Sequence, residues 1–172
     1  MAGSSTTSVV LGTSIVAKSI LKPPRHLPSH ILERETETRR KIHTILEILE
    51  AHGYTVYFPR AGLVETASVL KRGGLSRQDI TRIIESIEET FIVVGENIIY
   101  QKALEVALER APSGFDTYFI ALAAATNSIL ITDDKTMARH AEALGIDTIL
   151  VRETSLEQIR RRLQGQPGTR AQ

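Results

Sequence analysis

The sequence contains no cysteine among its 172 residues. Without a thiol the chain can form no disulfide bond, bind no zinc through thiolates and use no cysteine as a nucleophile. An excess of charge of one sign is also missing, because the chain has 21 basic and 20 acidic side chains and a formal net charge of +1. This balance excludes the global positive field of a protein that coats nucleic acid non-specifically. Any contact with a phosphate backbone would come from local basic clusters.

Long apolar runs are absent as well. No stretch approaches the roughly 18 apolar residues of a membrane-spanning helix. Residues 1–8 contain no Lys or Arg and do not resemble a secretory signal. We therefore expect a cytoplasmic protein with no membrane partner. The length and the apolar content of 42% suit a single domain. We predict this domain over residues 1–164, followed by a polar, disordered tail at 165–172.

Short β-branched or apolar segments alternate with segments of helical spacing along the chain. Strands are predicted at 9–11, 54–58, 91–94, 128–132 and 148–151. Helices are predicted at 15–21, 42–49 within a charged stretch that begins near 30, 61–71, 80–87, 97–110, 115–126, 135–144 and 155–163. Strands separated by helices require crossover connections, which give a parallel sheet covered by helices on both faces. The sequence therefore predicts an α/β fold with a central parallel sheet of about five strands.

Ligands of such sheets bind at the carboxyl ends of the strands. Gly12 follows the first predicted strand, and Asp133 and Asp134 follow the fourth. Two further acids lie on helices. Glu65 flanks the apolar stripe of helix 61–71, and Asp116 begins an apolar row in helix 115–126. These positions are the candidates for a functional site.

Each acid also has an ordinary structural explanation. Glu65 could mark the solvent edge of its helix, and Asp116 completes a capping box with Ser113. Asp133 or Asp134 could cap the helix that follows them. If the carboxylates converge, however, their mutual repulsion calls for a cation, and their oxygens suit Mg²⁺ or Mn²⁺. Such an ion could activate a water against a phosphodiester.

The order of these segments resembles that of the PIN-domain family, which includes the VapC toxin nucleases. Four blocks carry the resemblance: 9–14 (VVLGTS), 59–70 (PRAGLVETASVL), 115–123 (FDTYFIALA) and 130–135 (LITDDK). Within them, Glu65, Asp116 and Asp134 match three of the family's four acids, and Asp133 fills a variable position. The resemblance extends over about residues 8–151. It implies endonucleolytic cleavage of RNA by Glu65, Asp116 and Asp134, which would hold Mg²⁺ or Mn²⁺ with Asp133 in support.

Position 12 departs from the family pattern, which has its first metal-binding Asp there. Gly12 has no side-chain oxygen, so we expect this chain to be weakly active or inactive. The protein is then either a degenerate PIN domain that binds RNA or a partner protein without cutting, or a nuclease that carries an acquired or engineered substitution. Ser14 stands where the family often has a hydroxyl near the metal, although it could instead cap helix 15–21. Thr132 is expected to orient its neighbours.

Basic side chains that could contact RNA are Arg60, Lys71 and Arg72, with Arg77 and the arginines at 160–162 as further candidates. Cations at the carboxyl end of a helix are also favourable without any ligand, because they oppose the helix dipole. The five histidines are expected at the surface.

The resemblance further implies an RNA substrate, an antitoxin protein as partner and a homodimer. The apolar faces of 42–49 and 80–87 could form a dimer interface or pack in the core. A flavodoxin-like domain is a third alternative, but such proteins usually place an acidic pair after the first strand, where this chain has none.

Overall fold

The computed structural model describes residues 7–165, which form five strands and eight helices. In chain order they are β1 (Ser8–Leu11), α1 (Thr13–Ile20), α2 (Ser29–Ala51), β2 (Thr55–Pro59), α3 (Arg60–Arg72), α4 (Arg77–Thr90), β3 (Ile92–Val94), α5 (Glu96–Arg110), α6 (Gly114–Thr126), β4 (Ile129–Thr132), α7 (Lys135–Ala143), β5 (Thr148–Leu150) and α8 (Leu156–Gln164). The predicted tail, apart from Gly165, lies outside the described residues. Within residues 7–165 no helix is long and apolar enough to span a membrane.

The five strands form one sheet in the order β3-β2-β1-β4-β5, and every neighbouring pair is parallel. This confirms the predicted α/β fold. The rule of right-handed crossovers assigns the helices that connect β1, β2 and β3 to one face and those that connect β3, β4 and β5 to the other. Helix α3 nevertheless contacts α6 through Gly62. The chain builds outward from β1 through β2 to β3 and then returns to place β4 on the other side of β1. This reversal creates the crevice in which α/β sheets bind ligands, at the carboxyl ends of β1 and β4.

The core is centred on β1, β4 and α6. Helix α6 is largely apolar, and its residues 119–123 are buried, as suits a central helix. Phe119 of this helix packs edge-on against Phe58 of β2, with ring centroids 5.5 Å apart. Gly62 allows α3 to approach these two rings, because a Cβ there would lie 2.7 Å from Phe58 and 2.8 Å from Phe119. Close packing at Gly62 thereby fixes the position of Glu65, which follows one turn later on α3.

The sequence left alternatives open at Ser14 and at the apolar faces of 42–49 and 80–87. Helix α1 begins at Thr13, with Gly12 as its N-cap, so Ser14 lies inside the first turn and does not cap the helix. The apolar faces of 42–49 and 80–87 are mainly buried within the monomer and belong to the core; buried there are Ile42, Ile45, Ile48, Leu49, Ile80 and Ile87. Among the described residues, the large apolar side chains left exposed lie mostly on α5 and are Ile98, Tyr100, Leu104 and Leu108, with Val64, Ile92 and Phe115 elsewhere.

Candidate active site

A cavity of about 360 Å³ opens where β1 and β4 end. These strands are direct neighbours, and the amide of Gly12 continues their ladder by donating to the carbonyl of Ile131 at 2.8 Å. Glu65 from α3, Asp116 from α6 and Asp134 at the start of α7 all line this cavity. The structure therefore brings the three acids that match the family pattern to one place, at the reversal of strand order.

Local hydrogen bonds hold each of these acids in position. Thr13 donates from Oγ1 to Oε2 of Glu65 at 2.7 Å. The amide of Asp116 donates to Oγ of its cap, Ser113, at 3.4 Å. Asp134 caps α7, because its Oδ1 accepts from the amide of Met137 at 2.9 Å. Asp134 thus caps α7 as the sequence allowed, whereas at the start of α6 the cap is Ser113, which accepts from the amide of Asp116; both acids also lie at the cavity.

The three carboxylates influence one another electrostatically. The pKa of Asp116 is raised, first by burial and further by the negative charges of Asp134 and Glu65; a hydrogen bond from Ser113 and the charge of His140 oppose the shift. Carboxylates that repel one another in a partly buried cavity are stabilised by a cation placed among them. The arrangement therefore favours binding of a positive ion.

Asp133 occupies a different environment and does not line the cavity. Asp133 is only 2% exposed. Arg152 donates three hydrogen bonds to the Asp133 carboxylate, from the amide at 3.0 Å, from Nε at 3.1 Å and from Nη2 at 2.8 Å. Lys18 donates a fourth from Nζ at 2.6 Å. Burial alone would raise the pKa of Asp133, but the hydrogen bonds from Arg152 and Lys18 outweigh it and hold the pKa below its usual range. These contacts argue against the predicted support of a metal ion. Asp133 instead ties the end of β4 to α1 and to the turn after β5.

Two hydroxyl side chains at this edge hold the backbone that follows β4. Ser14 Oγ accepts from the amide of Asp133 at 3.0 Å, and Thr132 Oγ1 accepts from the amide of Asp134 at 3.0 Å. Ser14 also lines the cavity, whereas Thr132 is fully buried beside it. Both residues therefore fix the backbone that presents Asp134.

Gly12 lies at the end of β1 and is not among the residues that line the cavity, although Thr13 and Ser14 are. Its backbone is extended, with φ −67° and ψ 155°, a conformation open to any residue. A Cβ at this position would lie 3.0 Å from Oγ1 and 3.3 Å from Cβ of Thr132, and 3.5 Å from the carbonyl oxygen of Ile131. A side chain at position 12 would therefore press on Thr132, which holds the amide of Asp134.

The donor set fits a hard divalent cation in its chemistry, because it consists of carboxylate oxygens and its members repel one another. Its geometry is more open than a closed coordination shell. Within residues 7–165, no three His, Asp or Glu side chains lie close enough together to form a ready metal site. An ion among Glu65, Asp116 and Asp134 would retain waters, as Mg²⁺ commonly does.

Three side chains at the site escaped the sequence reasoning. Thr13 and Lys18 line the cavity from α1. His140 was expected at the surface, but it is half-buried and its charge acts on Asp116. Its Nδ1 is buried without a hydrogen-bond partner among the described residues. The helical spacing of His140 from Met137, which lines the cavity, is the signal that could have identified it.

The basic candidates lie at two ends of the molecule. Arg60 begins α3 at the carboxyl end of β2 and is exposed beside Gly95. Lys71 and Arg72 are exposed at the end of α3. In contrast, Arg162 pairs with Asp147, which directly precedes β5 at the amino edge of the sheet. The arginines at 160–162 are therefore remote from the acids.

Comparison with known families agrees with the fold. The sequence model of the PIN domain matches residues 29–143, more than half of the chain, and the chain belongs to the PIN domain family. The matched segment includes Glu65, Asp116 and Asp134 and begins after Gly12. Members of this family are generally metal-dependent nucleases that act on RNA. No curated protein compared with the chain shows a significant match.

Proposed function

We propose that this protein is a PIN-family endoribonuclease in which Glu65, Asp116 and Asp134 hold Mg²⁺ or Mn²⁺, and that Gly12 leaves its activity weak or absent. The observation that carries the proposal is the convergence of these three carboxylates on one cavity. Burial raises the pKa of Asp116 there, and the negative charges of Asp134 and Glu65 raise it further. That cavity lies at the reversal of strand order, where ligands of parallel sheets bind.

The chain's own residues would present the oxygens and orient them. When bound, a divalent cation lowers the pKa of a water ligand and neutralises charge that develops on the phosphate. Thr13 keeps one oxygen of Glu65 directed by its hydrogen bond. Asp134 uses Oδ1 to cap α7, which leaves Oδ2 for the cavity. Lys18 also lines the cavity, but its ammonium group is paired with Asp133 and Glu35, so the cations left for the RNA backbone are the exposed Lys71 and Arg72.

Gly12 limits this arrangement. Fewer charged ligands hold a divalent cation more loosely, and three acids without a fourth leave part of the oxygen shell to water. A water that is less firmly positioned is a poorer nucleophile for attack at phosphorus. The same feature supports a second candidate function, a PIN scaffold that binds RNA or a partner protein and does not cut.

Mn²⁺ binding tests the proposed site directly. We expect calorimetric titration of the unchanged chain to show weak binding that Asp116→Asn abolishes, since Asn keeps the shape of Asp and removes its charge. Asp79→Asn is the matched control, because Asp79 follows its cap Ser76 in the same way and lies on α4. Binding that survives Asp116→Asn would place the ion elsewhere and contradict the proposal.

The toxin assignment is a finer proposal that rests on the resemblance to VapC nucleases. It includes a cognate antitoxin that holds the nuclease inactive and a homodimer. The faces at 42–49 and 80–87 are mostly buried in the monomer, so a dimer would have to use other surfaces. Light scattering of the purified chain alone would detect a homodimer. The same measurement after co-expression with the candidate antitoxin would detect the complex of nuclease and antitoxin.

A further inference from the structure

A second cavity, the α1–α2 groove, adjoins the candidate active site. It has a volume of about 440 Å³ and lies between the end of α1, the connection 21–28 and the first turns of α2. Lys18 and Leu21 line both the groove and the cavity that contains the acids. Helix α3 also extends from the cavity to the groove. Glu65 and Val69 line the cavity and Gly73 lines the groove, and their spacing of four residues puts them on one face of the helix. A chain bound at the acids could continue into the groove.

The walls of the groove combine apolar surface with cations. Leu21, Pro23, Leu27 and Ile31 supply apolar contacts, and Lys22 and Arg39 supply positive charge. The one carboxylate there, that of Glu35, accepts from Nζ of Lys18 at 2.5 Å and is thereby neutralised. The groove therefore suits a ligand with a flat apolar face and a negative charge nearby.

Arg39 adds a requirement for a hydrogen-bond acceptor. Its Nη2 donates to the carbonyl of Ser19 at 3.3 Å, but its Nε is buried and has no partner among the described residues. A buried donor without an acceptor is costly, and because this Nε is closed to solvent, a ligand in the groove recovers that cost only by turning the guanidinium group toward its own acceptor. A purely aliphatic ligand cannot do so. Nucleobases carry acceptors on their edges between two apolar faces, and single-stranded RNA is commonly recognised by Arg guanidinium groups that pair with or stack on its bases.

We propose that the α1–α2 groove binds a nucleobase of single-stranded RNA, in the stretch adjacent to the phosphate at the acids. The position of that phosphate rests on the proposed function; the base contact itself does not. A volume of this size accommodates a base and its ribose. Lys71 and Arg72 immediately precede Gly73 at the groove wall, where they can contact the flanking phosphates.

Abasic RNA distinguishes a base contact from a phosphate contact. Fluorescence anisotropy would measure binding of a short labelled single strand to the unchanged chain with EDTA present, so that metal binding and cleavage play no part. One abasic nucleotide is then moved along the strand. We expect one position at which its loss weakens binding by about tenfold, a typical value for one stacked base. The Lys22→Gln, Arg39→Gln double variant should bind more weakly and show no such position.

The matched control is Arg160→Gln with Arg161→Gln, which removes the same charge from exposed sites on α8. This control should retain the position-dependent penalty. A photo-crosslink from 4-thiouridine at the sensitive position supplies a second measurement on the unchanged chain, and we expect it within residues 21–39. This measurement remains informative even if the groove variant fails to fold.

Several outcomes would overturn the inference. Uniform weakening without an abasic-sensitive position would mean that the groove contacts phosphates only. RNA affinity that the groove variant leaves unchanged would mean that the groove receives something else, such as a protein segment. A chain that binds no RNA in EDTA would also exclude the base site, while Mn²⁺ titration of Asp116→Asn would still decide separately on the metal site.

Discussion

Asp133 and Asp134 are consecutive residues, but only Asp134 lines the cavity at the ends of β1 and β4. Asp133 is enclosed by Lys18 and Arg152, whereas Asp134 is exposed and caps α7. The chain bends at Asp133 as it leaves β4, and Asp134 has an extended backbone, so the two side chains enter different surroundings. One acid therefore stabilises the edge of the sheet, and its neighbour is available for chemistry.

Removal of the charge of Asp133 should destabilise the protein. Asp133→Asn leaves Lys18 and Arg152 without their buried partner, and we expect a loss of about 3 kcal/mol in the free energy of unfolding, the lower end for a broken buried pair. Urea denaturation measures it. Asp134→Asn is the matched control and should change stability by less than about 0.5 kcal/mol, because Asn is an equally good N-cap on an exposed site. Equal effects of the two substitutions would contradict the structural role of Asp133.

The stabilisation by Asp133 should also depend on pH. Burial alone would raise the pKa of Asp133, but Arg152 and Lys18 hold it below the usual range. The Asp133 carboxyl therefore binds a proton less tightly in the folded protein than in the unfolded chain. Its contribution to the free energy of unfolding is fully present above the ordinary Asp pKa of about 4 and is lost as pH falls through the lowered pKa. The stability difference between the unchanged chain and Asp133→Asn should shrink in acid. A difference that is constant down to about pH 2 would exclude this linkage.

Asp116 should show the opposite dependence. Burial, Asp134 and Glu65 raise its pKa, so the folded protein holds this proton more tightly than the unfolded chain. Stability is therefore lost as pH rises from the ordinary Asp pKa of about 4 through the raised value. In EDTA at neutral pH, Asp116→Asn should unfold at a higher temperature than the unchanged chain, and the difference should vanish in acid. Asp79→Asn, in the same capping position on α4, should give no such pH-dependent gain.

The sequence predicted the order of strands and helices well, because apolar periodicity is a local property that survives folding. It also singled out Glu65, Asp116 and Asp134 from their places on the predicted elements and from the resemblance of whole blocks; all three line one cavity, and their role as metal ligands stays a prediction. It misassigned Asp133, because the partners that neutralise this acid come from distant segments: Lys18 is 115 positions away along the chain and Arg152 is 19. No local pattern records such contacts.

The start of α1 illustrates a second limit. Gly12 can occupy an N-cap position without a capping side chain, so the chain offers no donor or acceptor pattern that marks the boundary. The helix therefore begins at Thr13, two residues before the apolar stripe that predicted it. This shift moves Ser14 off the cap and places Thr13 opposite Glu65.

Thr13 should act as a positioning residue for Glu65. Thr13→Val keeps the shape of the buried side chain and removes the hydroxyl that donates to Oε2. We expect Mn²⁺ affinity to fall by about tenfold, as found when outer hydrogen bonds to metal ligands are removed. Thr13→Ser retains the hydroxyl and should retain most of the affinity. Equal affinities of the Val and Ser variants would show that the hydroxyl does not orient the ligand.

Gly12→Asp should supply the missing carboxylate. The extended backbone at position 12 accepts an Asp without strain from φ. The new Cβ would lie 3.0 Å from Oγ1 of Thr132, so Thr132 must shift by a few tenths of an ångström. Because the neighbour is a side chain, we expect the fold to adapt. The added carboxylate at the end of β1 should tighten Mn²⁺ binding and position its water for attack at phosphorus.

Two controls separate the charge of this residue from its bulk. Gly12→Asn has the shape of Asp without the charge, and Gly12→Ala has only the Cβ that approaches Thr132. Incubation of single-stranded RNA with Mg²⁺ or Mn²⁺ should show cleavage by Gly12→Asp, little or none by the unchanged chain, and none by Asn, Ala or the double variant Gly12→Asp with Asp116→Asn. Expression of Gly12→Asp should also slow growth of the host. If Gly12→Asp folds and binds Mn²⁺ tightly but cuts no RNA offered to it, the non-catalytic scaffold becomes the better account of this chain.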